Sequence, residues 1–286
     1  MTATVLDGAA LAAKIRAGVR DEAAELGEIG LATVLVGEDP ASQIYIRLKH
    51  EAAEEVGIRA VDRRLPKETS EEELLGLVEE LNADDSIDGI LVQTPLPGQI
   101  EEPRVMRTID PAKDVDGLHP FNAGQLFFGH PTLVPATPLG IMALLSEHRI
   151  PVAGARAVVV GRSLIVGRPV AMLLLHENAT VTICHSRTDD LARHTLDADI
   201  LVVAVGQAGV VAADMVKAGG AVVDVGMNRT EAGLVGDIDP GAAERAAFMT
   251  PVPGGVGPMT IAMLLGNTVR AARYRRGLVA FPELRR

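Results

Sequence analysis

The sequence predicts an α/β protein with two domains, the second of them built on a doubly wound parallel sheet. Its 286 residues provide enough chain for two hydrophobic cores. Short runs rich in Val and Ile alternate with helical stretches in both halves of the chain, a pattern typical of parallel sheets. The alternation restarts after a proline-rich segment, residues 131–138, which predicts a joint between the domains there.

The first half predicts two buried strands with helices around them. Glycine ends the first strand, and a cluster of Pro and Gly ends the second. Ser70 and Glu73 have the spacing of a capping box, which predicts that a helix begins there. The predicted elements are, in order, helical segments at 11–19 and 22–26, a strand at 31–37, a helix that carries Tyr45 and Lys49, a helix that runs to residue 81, and a strand at 87–92.

The second half predicts a Rossmann-like, doubly wound domain. A helix at 139–148 precedes four short apolar strands, and a long helix ends the chain. We expect this last helix to return to the first domain. The strands are predicted at 157–160, 180–184, 200–205 and 221–225, the last helix at 259–276, and the two domains at 1–118 with 260–286 and at 119–259.

Composition and charge exclude several classes of function. A net charge of -11 and a content of aromatic residues of only 2% argue against nucleic acid as a partner, because both a basic surface and stacking platforms are lacking. No signal peptide and no membrane span are predicted, so we expect a cytoplasmic protein with no membrane partner. Cys184 is the only cysteine; we expect it to be buried, and we expect no metal site.

A glycine turn predicts a nucleotide site in the second domain. Gly161, Ser163 and Gly167 follow a predicted strand and open a helix, although serine stands where the usual dinucleotide fingerprint has its second glycine. Backbone N–H groups and the positive end of a helix would face a bound phosphate at such a turn. A purely structural turn is the alternative.

The end of the second strand of this domain predicts NADP in preference to NAD. Sites for NAD usually place a carboxylate there, whereas this chain has His185, Ser186 and Arg187. Together with Arg162, Ser186 and Arg187 would supply donors and positive charge to a 2′-phosphate. The alternative is that these are ordinary solvated loop residues.

Three features of the first domain carry polar groups that chemistry could use. Tyr45 and Lys49 are four residues apart and therefore share a face of their helix, although a core Tyr beside an exposed Lys is an alternative interpretation. Gln93 follows a predicted strand, and residues 113–117, with Asp116, form a loop. The ends of such strands are where open α/β sheets bind ligands. The Tyr-x-x-x-Lys pair of short-chain dehydrogenases follows the nucleotide turn, so its position before the turn disfavours that class.

Taken in order, these segments resemble the bifunctional methylenetetrahydrofolate dehydrogenase/cyclohydrolase family. The resemblance implies NADP-dependent oxidation of 5,10-methylene- to 5,10-methenyl-tetrahydrofolate, followed by hydrolysis to 10-formyl-tetrahydrofolate in the same cleft. It also implies a homodimer. The segments that carry it are residues 42–49, 93–97, 113–117, 161–169 and 251–260.

The resemblance also implies roles for individual residues. Lys49 matches the catalytic lysine, Tyr45 the ring that packs on the folate, Gln93 the partner of the lysine and Asp116 the anchor of the pterin, and all four are expected in the catalytic site. The expected cofactor residues are Gly161, Arg162, Ser163, Ile165, Gly167, Ser186, Arg187, Met227 and Thr137. The expected substrate residues are Tyr45, Lys49, Asp116, Pro253, Gly254 and Gly255.

The chemistry of the two reactions suits these residue types. A carboxylate at Asp116 can accept two hydrogen bonds from an aminopyrimidine edge. Hydride transfer needs no protein acid or base, but hydrolysis needs a group that moves protons. Lys49 could do so as a neutral amine, because burial and a cationic substrate lower the pKa of a lysine. The uncharged Gln93 would orient Lys49 without stabilising its charge.

Two other functions are possible from the sequence, and neither they nor the resemblance account for the end of the chain. Another two-domain NADP-dependent dehydrogenase, acting on a small hydroxy or keto acid, would also have the glycine turn, but it would need an anion clamp. A nucleotide-sensing module without chemistry would leave Lys49, Gln93 and Asp116 without a shared purpose. The arginine-containing end, residues 273–286, is predicted to be a solvated tail.

Overall fold

The computed structural model describes residues 2–231 and 233–282, which divide into two compact units. The three-stranded unit contains Lys14–Val134 and the chain from Ile261 onward. The six-stranded unit contains the chain up to Ala13 and Pro135–Thr260. No helix in the described ranges combines the length and the apolar character that a bilayer span requires.

Helices and strands alternate along most of the chain. The helices are α1 (Gly8–Leu26), α2 (Pro40–Glu55), α3 (Glu71–Ala83), α4 (Glu102–Thr108), α5 (Pro120–Phe127), α6 (Ala136–Glu147), α7 (Gly167–His176), α8 (Leu191–Thr195) and α9 (Val256–Arg275). The strands are β1 (Thr4–Val5), β2 (Ile29–Val36), β3 (Ile58–Leu65), β4 (Gly89–Val92), β5 (Arg156–Val160), β6 (Thr180–Cys184), β7 (Ile200–Val203), β8 (Ala221–Asp224), β9 (Asn228–Thr230), β10 (Gly233–Val235) and β11 (Phe248–Met249).

A parallel sheet with the strand order β3-β2-β4 forms the middle of the three-stranded unit. Every residue of the central strand β2 is buried, which is why its sequence is an unbroken apolar run apart from Gly30 and Thr33. The capping box of α3 is confirmed, because the Ser70 and Glu73 side chains each accept a hydrogen bond from the backbone N–H of the other. Leu74 of α3 then packs in the core beneath the sheet.

The edge strand β3 is absent from the sequence prediction. It carries Arg59, Asp62, Arg63 and Arg64, and only its first residue is fully buried. Charged side chains on an edge strand protect its unpaired backbone from other chains, and they also remove the apolar pattern by which a strand is predicted.

The end of α9 is anchored to the three-stranded unit. Arg275 donates to Asp88 at 2.8 Å and to the carbonyl oxygen of Ile87 at 2.8 Å, and Arg276 donates to the carbonyl oxygen of Glu28 at 2.6 Å. The ring of Phe281 lies 5.0 Å from that of Tyr274. The prediction of a solvated tail is therefore wrong for residues 273–276 and for Phe281, whereas residues 277–280 are exposed. Residues 283–286 lie outside the described ranges.

The six-stranded unit contains a parallel sheet with the order β1-β11-β8-β7-β5-β6. The chain runs from β5 outward to β6 and then crosses to β7 on the other side, so the strand order reverses at β5. In doubly wound sheets the loops at such a reversal separate and leave a crevice at the carboxyl ends of the strands. Cys184 at the end of β6 is fully buried, as predicted.

The division between the units differs from the predicted domain boundaries. Residues 119–134 belong to the three-stranded unit, because Asn122 of α5 donates to Pro111 and Asp114 at 2.9 and 2.8 Å. The first residues belong to the six-stranded unit, because β1 pairs in parallel with β11. Both attachments depend on contacts between distant parts of the chain, which local patterns do not show.

Replacing Asp88 with Ala is expected to lower the free energy of unfolding by about 3 kcal/mol, because two guanidinium groups lose a buried carboxylate. The Asp88 side chain is only 4% exposed, and its oxygens also accept the backbone N–H of Gly30 at 3.1 Å. Urea unfolding followed by circular dichroism measures the change. Asp85→Ala is the matched control, because that carboxylate pairs with the same Arg275 but is fully exposed. Equal losses in the two variants would contradict the anchoring role of Asp88.

Candidate functional site

Lys49 and Gln93 meet at the carboxyl edge of the three-stranded sheet. Lys49 projects from α2, which begins after Asp39 accepts the backbone N–H of Ser42 at 2.8 Å. Gln93 directly follows β4. The Lys49 Nζ donates to Gln93 Oε1 at 3.1 Å, and Gln93 Nε2 donates to the carbonyl oxygen of Thr94 at 2.9 Å. The second bond turns the oxygen of the amide toward the lysine.

Lys49 and Asp116 influence each other's protonation. Burial lowers the pKa of Lys49 from its ordinary value, and the negative charge of Asp116 offsets part of this effect. Burial raises the pKa of Asp116, and the positive charge of Lys49 opposes that shift. A lysine with a lowered pKa is neutral at a lower pH than usual and can then accept a proton.

Lys113, in the loop at 113–117, is an anchor rather than a reactive group. Its side chain is fully buried, and its Nζ donates to the carbonyl oxygens of Leu81, Asn82 and Asp84 at 2.9, 2.7 and 2.8 Å. These carbonyls lie at the end of α3, where four carbonyl groups of any helix lack an internal partner. Burial lowers the pKa of Lys113 as well. The loop is thus attached to the end of a helix by one ammonium group.

Asp114 fixes the next part of the same loop. Its Oδ2 accepts the Nδ2 of Asn122 and the backbone N–H of His119, both at 2.8 Å, and burial raises its pKa to about 6. Thr132 in turn donates to Asn122 at 2.6 Å. Gly89 lets Val115 pack close to the sheet, since a Cβ on that glycine would lie 2.6 Å from the side chain of Val115.

Asp116 is the carboxylate of this loop that remains free for a ligand. It is half-buried, and within residues 2–231 and 233–282 no group donates a hydrogen bond to it. Its neighbours on either side, Val115 and Gly117, are buried. Tyr45, one turn before Lys49 on α2, leaves 39% of its surface exposed. The structure therefore brings Lys49, Gln93 and Asp116 together and leaves the Tyr45 ring accessible on the same helix.

The glycine turn after β5 has the close backbone packing of a phosphate-binding loop. Gly161 has a φ of +124°, and a Cβ there would lie 2.3 Å from the carbonyl oxygen of Ala204. A Cβ on Gly167 would lie 2.3 Å from the carbonyl oxygen of Gly161. Ser163 takes the place of the missing glycine, and its Oγ accepts the backbone N–H groups of Val166 and Gly167 at 3.1 and 3.3 Å. Only glycine fits at positions 161 and 167.

A cleft of about 520 Å³ opens beside this turn, at the carboxyl ends of β5, β6 and β7. Its position is the one expected from the reversal of strand order at β5. Four of the predicted cofactor residues line it, namely Gly161, Arg162, Ser163 and Ser186, and a fifth, Gly167, belongs to the turn beside it. The sequence prediction missed His185, Thr188, Leu191, Ala204, Val205, Gln207 and Val210, which also line it. The residues after β7 could have been found by applying the strand-end rule to the third strand of the domain.

The other predicted cofactor residues lie outside the lining of this cleft. Arg187 is exposed, and its backbone N–H donates to His185 Nδ1 at 3.1 Å. Ile165 and Met227 are also exposed. Thr137 and Thr260 share a hydrogen bond between their hydroxyl groups at 2.8 Å.

The glycines of the 251–258 segment pack against the start of α1. A Cβ on Gly8 would lie 1.7 Å from the carbonyl oxygen of Gly255, and the backbone N–H of Ala9 donates to Gly254 at 3.0 Å. Gly254 itself has a φ of +102°. Pro253, Gly254 and Gly255 belong to the six-stranded unit, and their predicted contact with substrate stays a prediction.

Two family models match the chain, one in each half. The model described as "Tetrahydrofolate dehydrogenase/cyclohydrolase, catalytic domain" matches residues 6–116. The model described as "Tetrahydrofolate dehydrogenase/cyclohydrolase, NAD(P)-binding domain" matches residues 135–276. The first range contains Lys49, Gln93 and Asp116, and the second contains the glycine turn and the cleft.

Curated relatives and solved structures are similar over nearly the whole chain. "Bifunctional protein FolD 2" of Geobacter sulfurreducens is 54% identical over 277 residues, which cover 95% of this chain and 97% of that protein. The bifunctional enzyme FolD of Campylobacter jejuni has 48% identity and a TM-score of 0.93, covering 95% and 99% of the two chains. The enzyme of Trypanosoma brucei, solved with NADP and an inhibitor, has 41% identity and a TM-score of 0.92, covering 98% and 100%.

Replacing Lys113 with Met is expected to lower the free energy of unfolding by about 3 kcal/mol, because three carbonyl groups at the end of α3 lose a charged donor. Methionine keeps much of the length of the side chain but has no donor. Urea unfolding measures the difference. The matched control is Lys67→Met, because Lys67 is exposed and should leave the unfolding midpoint unchanged. An unchanged midpoint in Lys113→Met would show that the ammonium does not anchor the loop.

Proposed function

The chain belongs to the tetrahydrofolate dehydrogenase/cyclohydrolase family, and we propose that Lys49, Gln93, Asp116 and Tyr45 carry its folate chemistry. It is a bifunctional enzyme of one-carbon folate metabolism. It oxidises 5,10-methylene-tetrahydrofolate to the 5,10-methenyl compound with NADP and hydrolyses that compound to 10-formyl-tetrahydrofolate. The hydrogen bond of 3.1 Å between Lys49 and an uncharged amide is the observation that supports the assignment of residues most directly.

Asp116 is proposed to hold the pterin. Its carboxylate accepts no hydrogen bond from the described residues, so both oxygens are available to the two N–H donors of an aminopyrimidine edge. The accessible ring of Tyr45 offers an apolar face on which the folate can pack. These two contacts would fix the orientation of the substrate carbon next to Lys49.

Lys49 is proposed to move the proton of the hydrolysis. Water adds to the cationic methenyl carbon and loses a proton to the neutral amine of Lys49. The bond from that carbon to one ring nitrogen then breaks, and the nitrogen takes up the proton. Burial favours the neutral form of Lys49. The amide oxygen of Gln93 accepts a hydrogen bond from the amine and so orients it without adding a negative charge.

The residues of the cleft beside β5 fit a dinucleotide. A Cβ at Gly161 or Gly167 would collide with a backbone carbonyl oxygen. The two glycines therefore allow the tight turn by which the backbone of such loops approaches a bound phosphate. When bound, NADP supplies the acceptor for the hydride that leaves the methylene carbon. The chain itself contributes binding and orientation, because this transfer needs no protein acid or base.

A preference for NADP over NAD is proposed to depend on Arg162 and Ser186. Both line the cleft, and among the residues that the structure describes no Asp or Glu does. A guanidinium and a hydroxyl can bind the 2′-phosphate, whereas a carboxylate would repel it. A homodimer is proposed from the family resemblance alone, and a cytoplasmic location stays an expectation from the sequence. The earlier alternatives, an acid dehydrogenase and a module without chemistry, are set aside because both matching models describe the folate enzyme.

Lys49→Ala is expected to slow the hydrolysis of 5,10-methenyl-tetrahydrofolate by about 100-fold or more, because a general base contributes at least that factor. Its Kd for NADP should be unchanged, since the glycine turn belongs to the other unit. Absorbance of the methenyl compound measures hydrolysis, and titration of NADP measures binding. The wild-type protein must first form NADPH from 5,10-methylene-tetrahydrofolate and NADP. If no NADPH forms, the proposed function is rejected.

Arg47→Ala is the matched control, because Arg47 is an exposed cation on the same helix. The pH dependence adds a second test of the base. The wild-type rate of hydrolysis should rise with pH and level off below the ordinary lysine pKa of about 10.4, since only the neutral amine accepts a proton. Undiminished hydrolysis in Lys49→Ala would reject the assignment of Lys49.

Arg162→Gln and Ser186→Ala are each expected to raise the KM for NADP, the arginine variant by about tenfold or more, because a charge-assisted hydrogen bond is lost. The KM for NAD should change little, since NAD lacks the 2′-phosphate. Initial rates of NADPH and NADH formation measure both constants. Arg193→Gln removes an exposed arginine outside the cleft and should alter neither. A parallel rise in both KM values would place Arg162 on a part of the cofactor other than the 2′-phosphate.

A further inference from the structure

Two buried carboxylates lie behind the cofactor cleft and take no part in the proposed chemistry. Asp237 is fully buried, and Asp224, at the end of β8, is 2% exposed. Neither residue lines the cleft. We propose that Asp237 is a positioning residue of the cofactor site, whose carboxylate holds residues 204–207 against the glycine turn. The inference rests on the proposed function, because it concerns the binding of NADP.

Asp237 binds the chain where it leaves β7. Its Oδ2 accepts the backbone N–H groups of Val205 and Gly206 at 2.8 and 2.9 Å, and its Oδ1 accepts the Nδ2 of Asn228 at 2.9 Å. Gly206 has a φ of +67°, so the backbone turns sharply at this point. A carboxylate that accepts two adjacent N–H groups fixes the direction of that turn more firmly than a neutral acceptor would.

Asp224 holds Asp237 in place. Its Oδ1 accepts the backbone N–H groups of Gly226 and Asp237 at 3.0 and 2.9 Å, and its Oδ2 accepts that of Ile238 at 3.0 Å. Each carboxylate also fills the space beside a glycine. A Cβ on Gly226 would lie 2.1 Å from Asp237 Oδ1, and a Cβ on Gly236 would lie 1.9 Å from Asp224 Oδ2. The two aspartates and two glycines therefore form one tightly packed latch.

The latch reaches the cofactor turn through Ala204. The carbonyl oxygen of Ala204 would lie 2.3 Å from a Cβ on Gly161, so the two backbones are in direct contact. Ala204, Val205 and Gln207 also form part of the cleft wall. When the N–H groups of Val205 and Gly206 are fixed by Asp237, the wall of the cleft and the glycine turn are fixed with them. Loss of that attachment would let residues 204–207 move into or away from the space of the cofactor.

Asp237→Asn tests this role, because the amide has nearly the same shape but a weaker acceptor and no charge. The Kd for NADP should rise about tenfold. It is measured by competition, as the loss of the fluorescence of bound NADPH when NADP is added. The KM for NADP should rise with it. The hydrolysis of 5,10-methenyl-tetrahydrofolate, measured without any dinucleotide, should stay at the wild-type rate. A loss of structure alone would lower both activities together.

Asp239→Asn is the matched control, because it also removes one negative charge and lies only two residues after Asp237. Asp239 is exposed, and its side chain accepts the backbone N–H of Gly241. That variant should bind NADP as the wild type does. An Asp237→Asn variant with a Kd within twofold of wild type, or with both activities lowered equally, would overturn the proposal. An enzyme whose wild-type form makes no NADPH would instead reject the proposed function.

Hydrogen exchange of the wild-type protein keeps the test decisive if Asp237→Asn does not fold. The amides of Val205 and Gly206 should be protected before NADP is added, because each already donates to Asp237. If these two amides exchange as fast as exposed loop amides, the proposed role of Asp237 is overturned. Asn228→Ala leaves both bonds from Asp237 to residues 205 and 206 in place. It removes the donor to Asp237 Oδ1 and to the carbonyl oxygens of Val235 and Gly236, and it should raise the Kd for NADP by a smaller factor.

Discussion

The reversal of strand order in each sheet is the constraint on which both sites depend. Parallel strands carry all their carboxyl ends to one edge, and a reversal separates the loops that leave neighbouring strands. It occurs at β2 in one unit, where Lys49 and Gln93 meet, and at β5 in the other, where the glycine turn lies. The arrangement also explains why the strands themselves contribute almost no reactive group. They supply the buried apolar frame, and the first residues after them supply the chemistry.

Irregular segments at these edges are held by buried charges as well as by apolar packing. Lys113 satisfies three carbonyls, Asp114 joins a loop to α5, and Asp237 fixes the exit of β7. A loop has unpaired backbone groups that must find partners when it is buried, and one ionic side chain can satisfy two or three of them. The reactive residues Lys49 and Asp116 have few bonds by comparison. The protein thus separates charges that hold the backbone from charges left for the substrate.

Much of this could be predicted from the sequence, and the omissions have physical causes. The inner strands were predictable because burial on both faces leaves continuous apolar runs, and the capping box of α3 because it is local. The edge strand β3 was missed because its side chains are charged. Lys49, Gln93 and Asp116 were singled out from helix spacing, a strand end and a loop, and a family resemblance implied their roles. The anchoring roles of Lys113 and Asp237 depend instead on distant carbonyl and amide groups. No local spacing records such partners.

The anchoring of α9 has a consequence for synthesis on the ribosome. Arg276 binds the carbonyl oxygen of Glu28, 248 residues earlier in the chain, and β1 pairs with β11 near the other end. Neither unit is a continuous stretch of sequence, so neither can be completed before α9 has been synthesised. The three-stranded sheet therefore lacks its contacts with the end of α9 until that helix has emerged. Contacts between such distant residues slow folding, and during that delay the exposed apolar surface is the part of this protein that a chaperone would meet.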